Sequence, residues 1–164
     1  MKKIIHNIFL IILFITINGC GGYKPIFKSQ GLEFKIIDHS IEGNKLLGNK
    51  IYSKIYNIAQ SNINVENSKK INLFINVSKD KQATSKSNSG KILNYKITLI
   101  SKIKATDSIN GKNILSKTFS SSISYKVQDR YSDSIKIENK STQDLINKTF
   151  QEFLILFSKN LKTQ

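Results

Sequence analysis

Apolar and polar positions recur along this chain in patterns that predict six elements of secondary structure. Leu32 to His39 reads as a first strand, with Phe34 and Ile36 on one face. Leu47, Ile51, Ile55 and Ile58 follow at spacings of four, four and three, which places them on one stripe of a helix over about 45–62. Asn44 stands where an N-cap side chain accepts from the first turn, and Asn62, Asn64 and Asn67 mark the helix end. Ile71, Leu73, Ile75 and Val77 alternate with polar residues as a second strand. Two longer strands, about 91–107 and 113–127, flank Asn110-Gly111, the strongest short hairpin signal. Ile146, Phe150, Phe153, Phe157 and Leu161 recur at helical spacing in a final helix over about 139–162, with Ser141 and Asp144 near its start. An aromatic stripe of this kind is a core face.

The hairpin register follows from matching faces. A two-residue turn at Asn110-Gly111 sets Tyr95 opposite Lys126 and Ile97 opposite Ser124, which mixes apolar with polar. A three-residue loop, Ile109 to Gly111, with Gly111 left-handed at a bulge, sets Tyr95 against Tyr125, Ile97 against Ile123 and Ser101 against Phe119. One buried face specifies register strongly, so the odd-length loop is expected. The opposite face then carries Lys96, Lys102 and Lys104 beside Lys126 and a run of serines and threonines, interrupted by Ile92, Ile100 and Ile114. Such interruptions on a polar face mark a docking surface.

Between these elements, Asp80 to Gly90 is polar and serine-rich and reads as a mobile loop, bordered and crossed by Lys79, Lys81, Lys86 and Lys91. Asp129 to Lys136 reads as a connection into the last helix. The order β-α-β-β-β-α predicts an α+β fold: a two-layer sandwich in which two helices cover one face of a four-stranded, mostly antiparallel sheet. No internal repeat is visible.

Charge narrows the partners. The formal net charge is +15, which favours anionic lipid, nucleic acid or an acidic protein cavity. Arg130 is the only arginine in a chain crowded with Ile, Asn and Lys, so compositional drift on solvated faces is the bland account of the same number. Lysine attracts anions without the planar, bidentate geometry of arginine. The candidate contacts with an anionic lipid or partner are Lys79, Lys81, Lys86, Lys91, Lys96, Lys102, Lys104 and Lys126.

The first residues supply a location. Lys2 and Lys3 precede an apolar run from Ile8 to Ile17, then Asn18-Gly19 and Cys20, the only cysteine. A charged start, a short apolar stretch and a small residue at the cut are what an export signal needs. The run is too short for the roughly 20 residues of a membrane-spanning helix. Ile17-Asn18-Gly19-Cys20 resembles the bacterial lipobox, which implies a diacylglycerol on the Cys20 sulfur, removal of residues 1–19 and a third acyl chain on the freed amine. A lone cysteine in an exported protein has no disulfide partner, and two or more acyl chains make an anchor effectively permanent. By resemblance to known lipoprotein sorting, Gly21 in place of an aspartate implies the outer membrane, and export argues against nucleic acid as a partner. Residues 20–31 read as a lipidated tether. About 133 residues, 32–164, then form one domain, within the roughly 100–200 expected of a single core.

Catalysis finds no support in the residues. His6 leaves with the signal, so His39 is the only mature histidine, and no phosphate-cradling glycine loop, HExxH or cysteine cluster is present. Asp129 and Asp133 lie beside Arg130 in a polar connection. No metal site and no cofactor is expected.

Gly19-Cys20-Gly21-Gly22-Tyr23-Lys24-Pro25-Ile26-Phe27 resembles the opening of the LPS-assembly lipoprotein family, LptE, whose members commonly read C-G-[F/Y]-x-P-[L/I]-[Y/F] after the lipobox. This chain has one extra glycine. Length, element order and a serine-rich strand leading into a long C-terminal helix extend the resemblance over nearly the whole mature chain. The resemblance implies a non-enzymatic protein anchored on the periplasmic side of the outer membrane. It also implies the LptD barrel and lipopolysaccharide as partners, in lipopolysaccharide assembly and transport to the cell surface. The competing class is an auxiliary lipoprotein of a periplasmic lipid or ABC-type transport system.

Overall fold

Local sequence sets up each element of the computed structural model, which describes residues 32–61 and 68–162. The export signal over 1–19, Cys20 and the tether to 31 lie outside the described residues. Strand β1 (Phe34–Gly43) leads into helix α1 (Lys45–Gln60); β2 (Lys69–Lys86), β3 (Ile92–Asp107) and β4 (Asn113–Lys126) follow, and α2 (Tyr131–Lys162) ends the chain. The four strands lie in the order β1-β2-β3-β4.

The sheet is mixed. β1 runs parallel to β2, whereas β2–β3 and β3–β4 are antiparallel. Parallel neighbours need a long crossover, and α1 supplies it. The strand-to-helix junction is fixed by Gly43 at φ 69°. A Cβ there would collide with the Val77 carbonyl, which accepts the Asn44 amide at 2.7 Å. Asn44 then caps α1, its side chain accepting from Leu47 N at 3.1 Å. Leu47, Ile51, Ile55 and Ala59 are buried against the sheet, while Ile58 is only partly covered.

Several sequence-based boundaries shift. β1 runs on past His39 to Gly43, because a bulge at Ile37 resets its pairing with β2 and returns Ile41 to the covered side. The mobile loop expected over Asp80–Gly90 is mostly strand. Lys79 to Lys86 continue the ladder with Leu99 to Ile92, so β3 pairs one edge of this polar stretch, which runs beyond the last β1 pair at Val77. Only 87–91 turn, held by Ser87 N to Lys91 O at 2.8 Å.

The β3–β4 hairpin has the expected register, Tyr95 to Tyr125, Ile97 to Ile123 and Ser101 to Phe119. Its loop differs in detail. Asp107 and Lys112 close a loop of 108–111 with Gly111 left-handed, and the extra residue is Ile114. The bulge turns Ile114 inward, where it is 3% exposed, instead of onto the polar face, and its carbonyl accepts Asn160 Nδ2 at 2.9 Å. Asp107 shapes the turn by accepting the Ile109 and Asn110 amides, and those bonds hold its carboxyl below the usual range.

The connection expected over Asp129–Lys136 is helical from Tyr131. Ser134 accepts the Gln128 amide at 2.8 Å, and the first turn is tied to the Arg130 carbonyl. Asp133 in the first turn and Lys159 and Lys162 in the last match the helix dipole. Phe153 and Phe157 are fully buried and stacked, and Phe157 meets Phe34 of β1 edge-on at 4.9 Å. Both helices therefore lie on one face of the sheet. Among the described residues no helix is long and apolar enough to cross a membrane.

Candidate functional site: the uncovered sheet face

Because both helices pack on one side, no element among the described residues covers the other side of the sheet, and register assigns its residues. Across the sheet they form rungs: Asp38-Asn72-Thr106, Ser40-Phe74-Lys104-Ser116, Glu42-Asn76-Lys102-Thr118, then Ser78-Ile100-Ser120, Asp80-Thr98-Ser122 and Gln82-Lys96-Ser124. Lys126 stands beside Asn94 at the far end. Lys96, Lys102, Lys104 and Lys126 are exposed, and none forms an ion pair among the described residues. Ile100, 42% exposed, lies between two of these cationic rungs. The carboxylates of this face are Asp38 and Glu42 on β1 and Asp80 on β2, with Glu42 accepting Asn76 Nδ2 at 3.1 Å. The β4 column carries hydroxyls alone from Ser116 to Ser124.

The eight candidate lysines divide into three groups. Lys96, Lys102, Lys104 and Lys126 share the uncovered face. Lys86 and Lys91 flank the β2–β3 turn and are exposed. Lys79 and Lys81 face the helix side, where Glu138 of α2 takes both, at 3.0 Å and 2.6 Å. Tyr125 Oη also donates to Glu138, at 3.0 Å, and Lys81 lies over the Tyr95 ring at 4.2 Å.

Burial alone would raise the Glu138 carboxyl, but donation from Lys81, Lys79 and Tyr125 outweighs it and holds the group at about 2. The same bond to Glu138 raises Lys81. These two lysines are thus held in a clamp that ties the extended end of β2 to the start of α2. Sequence reasoning missed Glu138 because it falls just before the helix start expected at 139. The signal was present: Lys79 and Lys81 continue the period-two parity of Ile75 and Val77, which puts them on the helix side.

His39 also faces the helices, its ring stacked on Tyr52 at 3.9 Å. Among the described residues no group of His, Cys, Asp and Glu is placed to hold a metal ion. What this face offers is a lysine- and hydroxyl-rich surface with Phe74 and Ile100 as apolar points on it. Such a surface attracts phosphate-bearing or acidic partners through charge and hydrogen bonds.

The same architecture occurs in solved proteins. Lipoprotein B from Nitrosomonas europaea superposes with a TM-score of 0.56 at 16% identity, over 80% of this chain and 86% of that one. The minor lipoprotein from Acinetobacter baumannii gives 0.55 at 14% identity, over 79% of this chain and 94% of that one. Rare lipoprotein B from Shewanella oneidensis gives 0.51 at 11% identity, over 76% of this chain and 98% of that one. This is a fold that bacterial lipoproteins adopt. At these identities the likeness is one of fold. No family model matches the chain, and no curated protein matches it in sequence.

Proposed function

We propose that this chain is an outer-membrane lipoprotein, anchored through Cys20 on the periplasmic side, that partners the LptD barrel in lipopolysaccharide assembly and transport to the cell surface. The observation that carries this reading is the sheet face left uncovered by both helices, with Lys96, Lys102, Lys104 and Lys126 set among serine and threonine hydroxyls. An acidic barrel wall and the phosphates of lipopolysaccharide both complement that surface. The lipobox-like Ile17 to Cys20, the Gly-Tyr-x-Pro opening and the fold shared with solved lipoproteins support the same reading. The role is one of binding and assembly, with no catalytic step.

Copurification after gentle detergent extraction tests it. An LptD barrel recovered in stoichiometric amount with the tagged full chain is the expected result. Recovery of inner-membrane transporter subunits without a barrel would instead identify an auxiliary lipoprotein of a lipid or ABC-type transport system, and would overturn the proposal.

A further inference from the structure

The uncovered face is not uniformly cationic. At its β1 end the sheet forms a groove of about 360 Å³ whose outer-face lining is Asp38, Ser40, Asn72, Phe74, Lys104 and Thr106. Register places these six residues on two successive rungs, with Asn72 and Phe74 of β2 as the floor between β1 and β3. Asp38 stands on one wall and Lys104 on the other. Neighbouring strands lie about 4.8 Å apart, so the two charged columns are separated by roughly 10 Å of backbone. Neither side chain forms an ion pair among the described residues. Asp38 Oδ1 accepts the adjacent His39 amide at 2.8 Å, which fixes the carboxylate at the rim.

A groove with one acidic and one basic wall discriminates by charge arrangement. A simple anion gains Lys104 but meets Asp38; a simple cation gains Asp38 but meets Lys104. A ligand carrying both charges a short spacer apart satisfies both walls at once. Two rungs, about 7 Å along the strands, are too short to recognise an extended peptide, and the volume lies at the small-molecule end of ligand sites. We propose that this groove binds the zwitterionic headgroup of a phosphoethanolamine lipid. The ammonium donates to the Asp38 carboxylate, and the phosphate diester accepts from the ammonium of Lys104, whose long flexible stem closes the span. The two-carbon spacer lies over Phe74, and the Asn72 amide and the Ser40 and Thr106 hydroxyls serve the remaining phosphate oxygens. The site is argued from Asp38 and Lys104 and does not depend on which barrel or transporter the chain meets.

The test is titration of the ¹⁵N-labelled full mature chain, in non-ionic detergent, with glycerophosphoethanolamine, followed by amide shifts. Saturable shifts at Ser40, Asn72, Phe74 and Thr106 are expected, with sn-glycerol 3-phosphate and ethanolamine each at least tenfold weaker. Asp38→Asn and Lys104→Gln, both at exposed positions, should each weaken binding at least fivefold with unchanged melting. Glycerol 3-phosphate binding as tightly as the zwitterion, or tighter binding by Asp38→Asn, would show a plain anion surface and overturn the proposal. So would the absence of saturable shifts at these amides.

Discussion

Glu138→Gln isolates the clamp between β2 and α2. Glutamine keeps the size of the side chain and removes the charge, leaving Lys79 and Lys81 facing a neutral amide where they now share a carboxylate at 3.0 Å and 2.6 Å. The carboxyl is held at about 2 from an ordinary 4.5. A depressed carboxylate contributes stability that is fully present above its unfolded value and is lost as pH falls through its folded value. The window is therefore pH 4.5 down to 2. At about 1.36 kcal/mol per pKa unit the contribution at neutral pH is at most about 3 kcal/mol. Partial solvent access of the two lysines lowers the net figure toward about 2 kcal/mol. Urea unfolding of both proteins at a series of pH values measures it. The wild type should be the more stable by about 2–3 kcal/mol at pH 7, and the difference should close as pH falls from 4.5 to 2. A constant difference across that range, or none at pH 7, would refute the clamp.

Other expectations rest on separate parts of the structure. Phe157→Ala removes a fully buried ring that contacts both Phe34 and Phe153, and should cost about 3–5 kcal/mol in denaturant unfolding; a loss under 1 kcal/mol would place the ring outside the core. Ser101 is fully buried and its hydroxyl has no hydrogen-bond partner among the described residues, so Ser101→Ala should leave stability unchanged or raise it by about 1 kcal/mol, read as a higher urea midpoint. Cys20→Ser should abolish acyl labelling and release the protein from washed membranes while thermal melting of the domain is preserved. Unchanged membrane association, with no acyl mass on the wild type, would contradict lipidation.

The parts legible in the sequence are those where one strong local rule acts alone. Leu47, Ile51 and Ile55 define α1, Asn44 defines its cap, and the matching of Tyr95 with Tyr125 defines the β3–β4 register. What escaped depends on tertiary partners. Asp80 to Lys86 has loop composition, yet β3 pairs along one edge of its backbone. Tyr131 to Glu138 lacks a continuous apolar stripe and is helical because Ser134 bonds the Gln128 backbone just after β4 while Glu138 finds Tyr125 on β4 and Lys79 and Lys81 on β2. The bulge that hides Ile114 cannot be read from alternation, since inserting one residue inverts the parity. For the candidate site, the four lysines of the uncovered face follow from strand parity alone. The diversion of Lys79 and Lys81 to Glu138 requires knowing where α2 begins.

The most direct test of the central claim, that the uncovered sheet face is the functional surface, compares lipopolysaccharide binding by wild type and by Lys96→Gln/Lys102→Gln/Lys104→Gln/Lys126→Gln. Exposed charge pairs contribute about 0–1 kcal/mol each, so four together should contribute about 2 kcal/mol, or roughly thirtyfold in Kd, with unfolding unchanged. The wild-type affinity should also fall as salt rises, since the Debye length is near 8 Å at physiological ionic strength. A quadruple variant that folds normally and binds purified lipopolysaccharide as tightly as the wild type, with the same salt dependence, would contradict the account.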